Sequence, residues 1–337
     1  MKIDGMVHGT FEEIAAQARR LEAEGYDGAA TAETSHDPFL PLAAAAGVTN
    51  TLELGTSIAV AFARTPMPLA ATANDLQFAT QGRFTLGLGS QIKPHIEKRF
   101  SMPWSHPAPR MREFILALRA NWHSWNTGEK LEFRGEFYTH TLMTPFFSPG
   151  PNPNGSPKVT LAAVGDKMTE VAGEVADGII LHPFTTADYV RDVTLPALGR
   201  GFERGAKTRA DFEIAYPVFV VTGTDDESWA KARTGTRQQI AFYGSTPGYR
   251  GVLEQHGWGA VGEEMNRLSK QGEWIAMGDL VTDEMLETFA VVAAPDDLAA
   301  GILARWGGTV DRIAFDAPYE HDSGIWPAVI ADIKRQA

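Results

Sequence analysis

The sequence contains no cysteine, no excess of positive charge and no long hydrophobic run. The absence of cysteine from all 337 residues excludes disulfides, thiolate metal ligands and a cysteine nucleophile, and it fits a reducing compartment. Lys and Arg number 30 against 42 Asp and Glu, and this net charge of −12 argues against nucleic acid as a partner. The longest apolar runs, such as residues 58–63, fall far short of the ~20 residues that a membrane helix needs, and no signal peptide is recognisable. We therefore expect a soluble, cytoplasmic protein that acts on a small molecule.

Several catalytic signatures are also missing. The sequence has no G-x-x-x-x-G-K-[ST] phosphate loop and no G-x-S-x-G nucleophile elbow. Its nine histidines are scattered without the helical spacings of metal ligands, so we expect no metal. Gly87-Leu88-Gly89 lacks the third glycine of a dinucleotide fingerprint. These absences lower the case for a phosphate-loop protein, a serine hydrolase, a structural metal site or a Rossmann dehydrogenase.

A helix that ends at glycine and leads into a short apolar strand recurs along the chain. Near-continuous apolar strands that alternate with amphipathic helices indicate parallel pairing with both faces covered. The pattern predicts eight strands, at Lys2–Val7, Gly28–Ala32, Leu52–Ala61, Phe84–Gly89, Lys158–Ala162, Gly178–His182, Phe212–Val221 and Arg312–Phe315. This count favours a single-domain (β/α)8 barrel over an open doubly wound sheet.

Two stretches interrupt this rhythm. Residues 127–157, after the fourth strand, are rich in Pro and Gly, and residues 244–288, after the seventh strand, read as several short helices. Each is interpreted either as a lid over the mouth of the barrel or as a surface elaboration.

His36 is the leading catalytic candidate. It follows the second strand, at the end where a barrel exposes its active site, and its ordinary pKa near 6.5 suits proton transfer. The alternative is a loop histidine before a helix that starts near Pro38, with Asp37 as the helix cap.

Three other segments have both a ligand-binding and a structural interpretation. The small residues of Gly55–Ile58 on the third strand let a flat ring approach the backbone, or fill a narrow barrel. Val164-Gly165-Asp166 opens a helix whose free amides can bind phosphate, or it forms an ordinary turn. The basic run Lys93–Arg99 can attract an anionic ligand tail, or is a solvated loop.

The residues resemble those of the luciferase-like flavin and deazaflavin oxidoreductases. Arg64-Thr65-Pro66 and the run Gly82-Arg83-Phe84-Thr85-Leu86-Gly87-Leu88-Gly89 are similar to the family's R-x-P and G-R-[FL]-x-L-G-[LV]-G elements. Gly135-Glu136-Phe137-Tyr138 and the Pro-rich run that precedes the fifth strand also match. The resemblance covers almost the whole chain and implies a (β/α)8 barrel that assembles as a homodimer.

Within that family the chain is most similar to the branch that uses coenzyme F420, an 8-hydroxy-5-deazaflavin with a phospholactyl-oligoglutamate tail. Gly55-Thr56-Ser57-Ile58 matches the branch's bulge, which implies a cis peptide bond between Ser57 and Ile58. The resemblance implies that His36 transfers a proton at the substrate and that one set of residues contacts the cofactor, namely Ser57, Ile58, Val60, Ser90, Gln91, Val164, Gly165 and Asp166.

The chain departs from the branch at two positions. Ile92 stands where the sugar-phosphate dehydrogenase of this branch has a carboxylate, which argues against sugar phosphate as the substrate. Ser35 replaces the Asp that commonly precedes the histidine, and Glu33 is the candidate catalytic residue that would compensate if it points into the barrel.

These observations predict an F420-dependent oxidoreductase that transfers a hydride between the deazaflavin C5 and a small organic substrate. The first alternative is an FMN-dependent monooxygenase of the same fold. The second is a barrel that binds a cofactor without turnover.

Overall fold

A computed structural model describes all residues, Met1–Ala337. Its strands, in chain order, are β1 (Lys2–Met6), β2 (Gly28–Thr31), β3 (Glu53–Thr56), β4 (Ala59–Val60), β5 (Phe84–Gly89), β6 (Phe133–Arg134), β7 (Thr139–His140), β8 (Lys158–Ala162), β9 (Gly178–Ile180), β10 (Glu213–Val221), β11 (Val291–Val292) and β12 (Arg312–Asp316). No helix is long and apolar enough to cross a membrane.

The α-helices lie between and after these strands. They are α1 (Phe11–Ala23), α2 (Leu40–Ala46), α3 (Pro66–Ala79), α4 (Lys93–Lys98), α5 (Pro107–Thr127), α6 (Asp166–Val175), α7 (Ala187–Tyr189), α8 (Leu195–Gly205), α9 (Asp226–Gly244), α10 (Arg250–Gln255), α11 (Gly259–Ser269), α12 (Trp274–Asp279), α13 (Asp283–Phe289), α14 (Leu298–Trp306) and α15 (Trp326–Gln336).

The chain divides into two compact units. The larger unit comprises residues 4–180 and 197–213, and the smaller unit comprises residues 1–3, 181–196 and 214–337. The fold class is the (β/α)8 barrel that the alternation of strands and helices predicts. Its assignment as one domain stays a prediction.

In the larger unit, parallel strands pair in the order β1, β2, β3, β5, β8, β9, and β4 also pairs with β5. Glycine permits the closest of these approaches. A Cβ at Gly87 would lie 1.8 Å from the carbonyl oxygen of Thr56, and one at Gly89 would lie 2.8 Å from Cδ1 of Ile58. The two glycines of the Gly87-Leu88-Gly89 motif therefore let β5 accommodate the irregular end of the third predicted strand.

The segment Gly135–Tyr138 is held by one buried carboxylate. Glu113 on α5 accepts hydrogen bonds from the amides of Glu136, Phe137 and Tyr138, at 2.8, 2.7 and 2.6 Å. A Cβ at Gly135 would lie 2.1 Å from Oε1 of Glu113, so a larger residue there would displace this carboxylate from the amides that it binds. The hydrogen bonds of this motif therefore anchor the first predicted insertion to α5. Within that insertion, β6 and β7 form a short antiparallel hairpin.

In the smaller unit, β10 pairs in parallel with both β11 and β12. Tyr216 contacts Trp306 of α14 with the two rings tilted by 49°, and Phe315 stacks on Trp326 of α15, so those side chains face the helices. Side chains alternate along a strand, and the register places Phe219 opposite Asp316. Asp316 therefore lies on the sheet face that is turned away from α14 and α15.

The second predicted insertion is helical, as expected. Residues 244–288 contain α10 to α12 and most of α13, whose apolar side chains pack with α9 into a core around Leu253, Met265 and Met285. The prediction of one continuous strand over Leu52–Ala61 was wrong, because the backbone leaves the ladder at Ser57 and Ile58 and forms β3 and β4 separately. The short strand β11 was not predicted, since two residues give no periodic pattern.

Candidate functional site

The predicted cofactor residues follow strands that are neighbours in the larger unit. Val60 of β4 is paired with Gly89 of β5, and Leu88 of β5 is paired with Leu161 of β8. Ser90 follows β5 directly, and residues 164–166 follow β8. The carboxyl ends of parallel strands meet at one edge, which in a barrel is the edge that carries the active site.

A bulge separates β3 from β4. The peptide bond between Ser57 and Ile58 is cis, and this prediction from the resemblance is confirmed. The bulge is tied to the end of β2, because the amide of Ser57 donates to the carbonyl of Thr31 at 2.6 Å and the amide of Glu33 donates to the carbonyl of Ile58 at 3.1 Å.

Glu33 and Arg64 form a clamp across this bulge. Oε2 of Glu33 accepts a hydrogen bond from the amide of Val60 at 2.7 Å and lies 2.6 Å from Nη1 of Arg64. The same Nη1 donates to the carbonyl of Val60 at 3.1 Å. The Glu33 side chain is only 7% exposed, so its carboxylate is largely withdrawn from water, whereas the Arg64 side chain is 22% exposed. These contacts give Glu33 a positioning task, and its role in proton transfer stays a prediction.

Hydrogen bonds hold the loop that carries His36 in place on both sides of that residue. Oδ1 of Asp37 accepts hydrogen bonds from the amides of Phe39 and Leu40, at 2.8 and 3.0 Å, which supports the start of α2. On the other side, the guanidinium of Arg99 donates to the carbonyl of Thr34. The His36 side chain itself is exposed and forms no hydrogen bond or ion pair in the structure. The helix begins later than the predicted start near Pro38, and its N-cap residue is Phe39, which makes no side-chain cap hydrogen bond, so Asp37 is not the N-cap itself. The catalytic role of His36 stays a prediction.

The turn after β5 has an unusual backbone at Gln91. This residue has a φ of 59°, in the left-handed region, and its side-chain oxygen accepts a hydrogen bond from the amide of Ile92 at 3.0 Å. The hydroxyl of Ser90 donates to the carbonyl of Gln91 at 3.1 Å. The basic run that follows forms α4, where Lys93 lies 3.8 Å from Glu97 and leaves Lys98 as an exposed charge.

The N-terminus of α6 is open. The amides of Met168 and Thr169 donate to the carbonyl of Gly165, whereas those of Gly165, Asp166 and Lys167 have no acceptor in the structure. A Cβ at Gly165 would meet no atom within 4 Å, so there is free space in front of the helix. The Asp166 carboxylate does not cap the helix and lies 3.7 Å from Arg200. Free amides at a helix N-terminus provide the donors that a phosphate requires.

A second group of polar and aromatic side chains lies in the smaller unit and was not predicted from the sequence. His182 follows β9, and its ring lies 4.6 Å from that of Tyr243 and 4.3 Å from that of Tyr249. Burial lowers the pKa of His182 to about 4, so its imidazole is neutral at neutral pH. Burial also raises the pKa of the Asp316 carboxyl, at the end of β12, to about 6. The only signal that could have found His182 and Asp316 was their position at the ends of the sixth and eighth predicted strands.

The fold and the site define the class of protein. It is a (β/α)8 barrel with a bulged third strand and with free amides at the N-terminus of the helix that follows its fifth strand. A family model described as luciferase-like monooxygenase matches residues 3–312, and the chain belongs to that family.

Two relatives and one solved structure illustrate the range of similarity. An uncharacterized protein of Mycobacterium tuberculosis is 56% identical over 93% of this chain and 92% of its own. The 5,10-methylenetetrahydromethanopterin reductase of Archaeoglobus fulgidus is 28% identical over 81% of this chain and 79% of its own. The structure of a coenzyme F420-dependent tetrahydromethanopterin reductase from Methanopyrus kandleri covers all of this chain and 97% of its own, with a TM-score of 0.79 at 19% identity. This last likeness shows the fold.

Proposed function

We propose that the protein is an F420-dependent oxidoreductase that transfers a hydride between the deazaflavin and a small organic substrate in the cytoplasm. The observation that carries the proposal is the open N-terminus of α6, with three free amides and no side chain in front of Gly165. The F420 dependence of the reductase from M. kandleri, whose fold this chain shares, supports the choice of cofactor.

The residues of the larger unit fit the parts of such a cofactor. The amides of Gly165, Asp166 and Lys167 would hold its phosphate, and the bulge at Ser57 and Ile58 would lie against its ring system. Ser90 and Gln91 would contact the cofactor from the end of β5. Lys98, exposed in the basic run, would attract the oligoglutamate tail.

The chemistry is divided between the cofactor and the chain. When bound, the deazaflavin would supply two-electron hydride transfer at its C5 carbon. His36 would donate or accept the proton at the substrate, since its ring is exposed and has no other partner. Glu33 and Arg64 would keep the bulge and the amide of Val60 in place.

The proposal is tested by parallel fluorescence titrations of the purified protein with coenzyme F420 and with FMN. We expect micromolar or tighter binding of F420 and at least tenfold weaker binding of FMN. The reverse preference would favour the FMN-dependent monooxygenase that the family description allows. If neither compound binds, the remaining interpretation is the second alternative, a barrel without catalytic turnover.

Two variants refine this test. Gly165→Val places a side chain in the free space before α6, and we expect it to weaken F420 binding by about 10- to 100-fold, because charge-assisted hydrogen bonds to phosphate are lost. Gly199→Val on α8, where an added Cβ also meets nothing, is the matched control.

His36→Ala should retain F420 binding within about twofold and lose ~10²- to 10⁴-fold in turnover. Unchanged turnover would remove His36 from the mechanism.

A further inference from the structure

The rings of His182, Tyr243 and Tyr249 form a partly open aromatic cluster in the smaller unit. Tyr249 is tilted by 34° over the imidazole of His182, and Tyr243 meets it edge-on at 79°. Phe184 lies behind both tyrosines, with its ring 6.4 Å from Tyr243 and 6.1 Å from Tyr249. Phe184 is fully buried, whereas the other three side chains retain some exposure. The cluster therefore has a closed, apolar back and an accessible front.

The tautomer of His182 is defined by its own loop. Nδ1 of His182 accepts a hydrogen bond from the amide of Phe184 at 3.0 Å. The imidazole is neutral, so its one proton resides on Nε2. That Nε2–H group has no acceptor in the structure, and neither does the hydroxyl of Tyr249. Neither atom is among the buried polar atoms that lack a partner, so both reach the accessible front of the cluster, where water or a bound ligand supplies the acceptor.

The electrostatics of the cluster restrict the kind of ligand that supplies this acceptor. Burial is the sole cause of the pKa shifts of His182 and Tyr249, and the charge that acts on Tyr243 is that of the Asp316 carboxylate. No Lys or Arg pairs with these three rings, so an anion would find no counter-charge. A cation would be attracted to the tyrosine faces and to the Asp316 carboxylate, but it has no lone pair that can accept a hydrogen bond from Nε2–H of His182.

We propose that His182, Tyr243 and Tyr249 form the recognition site for an uncharged, planar organic substrate, which packs against the accessible side of these rings and accepts a hydrogen bond from Nε2 of His182 through a carbonyl oxygen or a ring nitrogen. The term substrate in this proposal rests on the proposed oxidoreductase function, whereas the binding site itself does not depend on it. Binding at the site requires no cofactor and is measured separately.

The test is isothermal titration calorimetry of the purified protein with four naphthalene probes of similar shape. These are 2-acetylnaphthalene, which has the acceptor, 2-ethylnaphthalene, which lacks it, and the charged 2-naphthoate and 2-naphthyltrimethylammonium. We expect the ketone to bind at least about tenfold more tightly than the other three, since one unpaired donor is worth about that factor. Preference for either ion, equal affinity for the ketone and the hydrocarbon, or no binding of any probe would overturn the proposal.

Variants assign the binding to these side chains. His182→Phe should weaken binding of the ketone by about tenfold and that of the hydrocarbon by less than twofold, because the ring is kept and only the donor is removed. Tyr249→Leu should weaken both by a similar factor. His182→Gln, which restores a side-chain N–H donor, should recover most of the affinity for the ketone, and it also guards against a folding defect in His182→Phe. An equal effect of His182→Phe on ketone and hydrocarbon would contradict the assigned hydrogen bond.

Coenzyme F420 titrations of the same variants separate the two proposals. If F420 binding is unchanged in His182→Phe while ketone binding is lost, both proposals stand. If F420 does not bind the unaltered protein but the probes follow the expected order, the oxidoreductase proposal fails and the recognition site remains.

Discussion

At the scale of single residues, two carboxylates of this protein have opposite environments. Glu33 is paired with Arg64 and with the amide of Val60, so its charge is satisfied where it lies. Asp316 has no hydrogen-bond partner in the structure, and its carboxyl is largely withdrawn from water at the end of β12. Burial without a hydrogen-bond donor disfavours the charged form of a carboxyl group and raises its pKa, whereas a donor or a positive charge beside the group offsets this effect.

The raised pKa of Asp316 predicts a pH-dependent stability. Its pKa rises from 3.8 to about 6 on folding, so the folded state holds the proton more tightly than the unfolded chain. The resulting stabilisation is complete below pH 3.8 and is lost as the pH rises to about 6. Asp316→Asn removes this dependence, and we expect the variant to be more stable than the unaltered protein by about 2–3 kcal/mol above pH 6, with a difference that shrinks towards pH 4.

Denaturant unfolding between pH 4 and pH 8 measures this difference. Asp279→Asn, at an exposed aspartate on α12, is the control and should change stability by less than about 0.5 kcal/mol at every pH. A constant difference between Asp316→Asn and the unaltered protein across the range would show that charge burial at this position is not its cause.

At the scale of elements, the strands of the larger unit approach each other more closely than side chains would allow. The hydroxyl of Thr56 donates to the carbonyl of Gly87 at 2.7 Å, and the β3 to β5 pairing continues past the bulge as β4 to β5. The bulge and the two glycines of β5 are therefore one structural feature, although Thr56 and Gly87 are 31 positions apart in the chain.

Gly87→Ala tests this close approach. Its Cβ would lie 1.8 Å from a backbone oxygen, which cannot move without breaking the strand pairing, so we expect a loss of at least about 3 kcal/mol in the free energy of unfolding. Gly199→Ala on α8 has free space and should be neutral or stabilising by up to ~1 kcal/mol. Thermal melts of both variants decide the matter, and an unchanged melting temperature in Gly87→Ala would refute the packing argument.

At the scale of the whole molecule, the three most exposed large apolar side chains of the larger unit lie together. Leu142, Phe146 and Phe147 are 79, 88 and 73% exposed. They line a groove of about 580 Å³ with Met67 and Trp125. Exposed apolar patches of this kind mark interaction surfaces. From this patch and the family resemblance we propose that the protein is a homodimer in which a second copy covers the groove.

Size-exclusion chromatography with light scattering tests the dimer. We expect a mass of twice the 36.6 kDa of the chain, and a shift to the single-chain mass when Phe146 and Phe147 are both replaced by Asp. Phe242→Asp, at an exposed phenylalanine of α9 in the smaller unit, should leave the dimer intact. A dimer that survives the double replacement would place its interface elsewhere.

Much of this protein is determined by its sequence alone, because short-range patterns carry the information. Apolar runs and glycine-terminated helices locate the eight principal strands, and the resemblance of the Gly55–Ile58 segment to the family's bulge locates the cis bond. The absence of cysteine excludes thiolate chemistry, and the acidic composition argues against nucleic acid as a partner. Both conclusions depend on composition and are independent of how the chain packs.

Only the tertiary structure decided which side chains meet. Glu33 is a catalytic candidate from the sequence, but Arg64 lies 31 positions further along and binds its carboxylate in the fold. Glu113 holds the amides of a segment more than 20 residues away, and His182 acquires its aromatic neighbours from α9 and the turn that follows it. Pairing, burial and pKa depend on the packing of distant segments, for which no local pattern exists, whereas strands and helices depend on the periodicity of neighbouring residues.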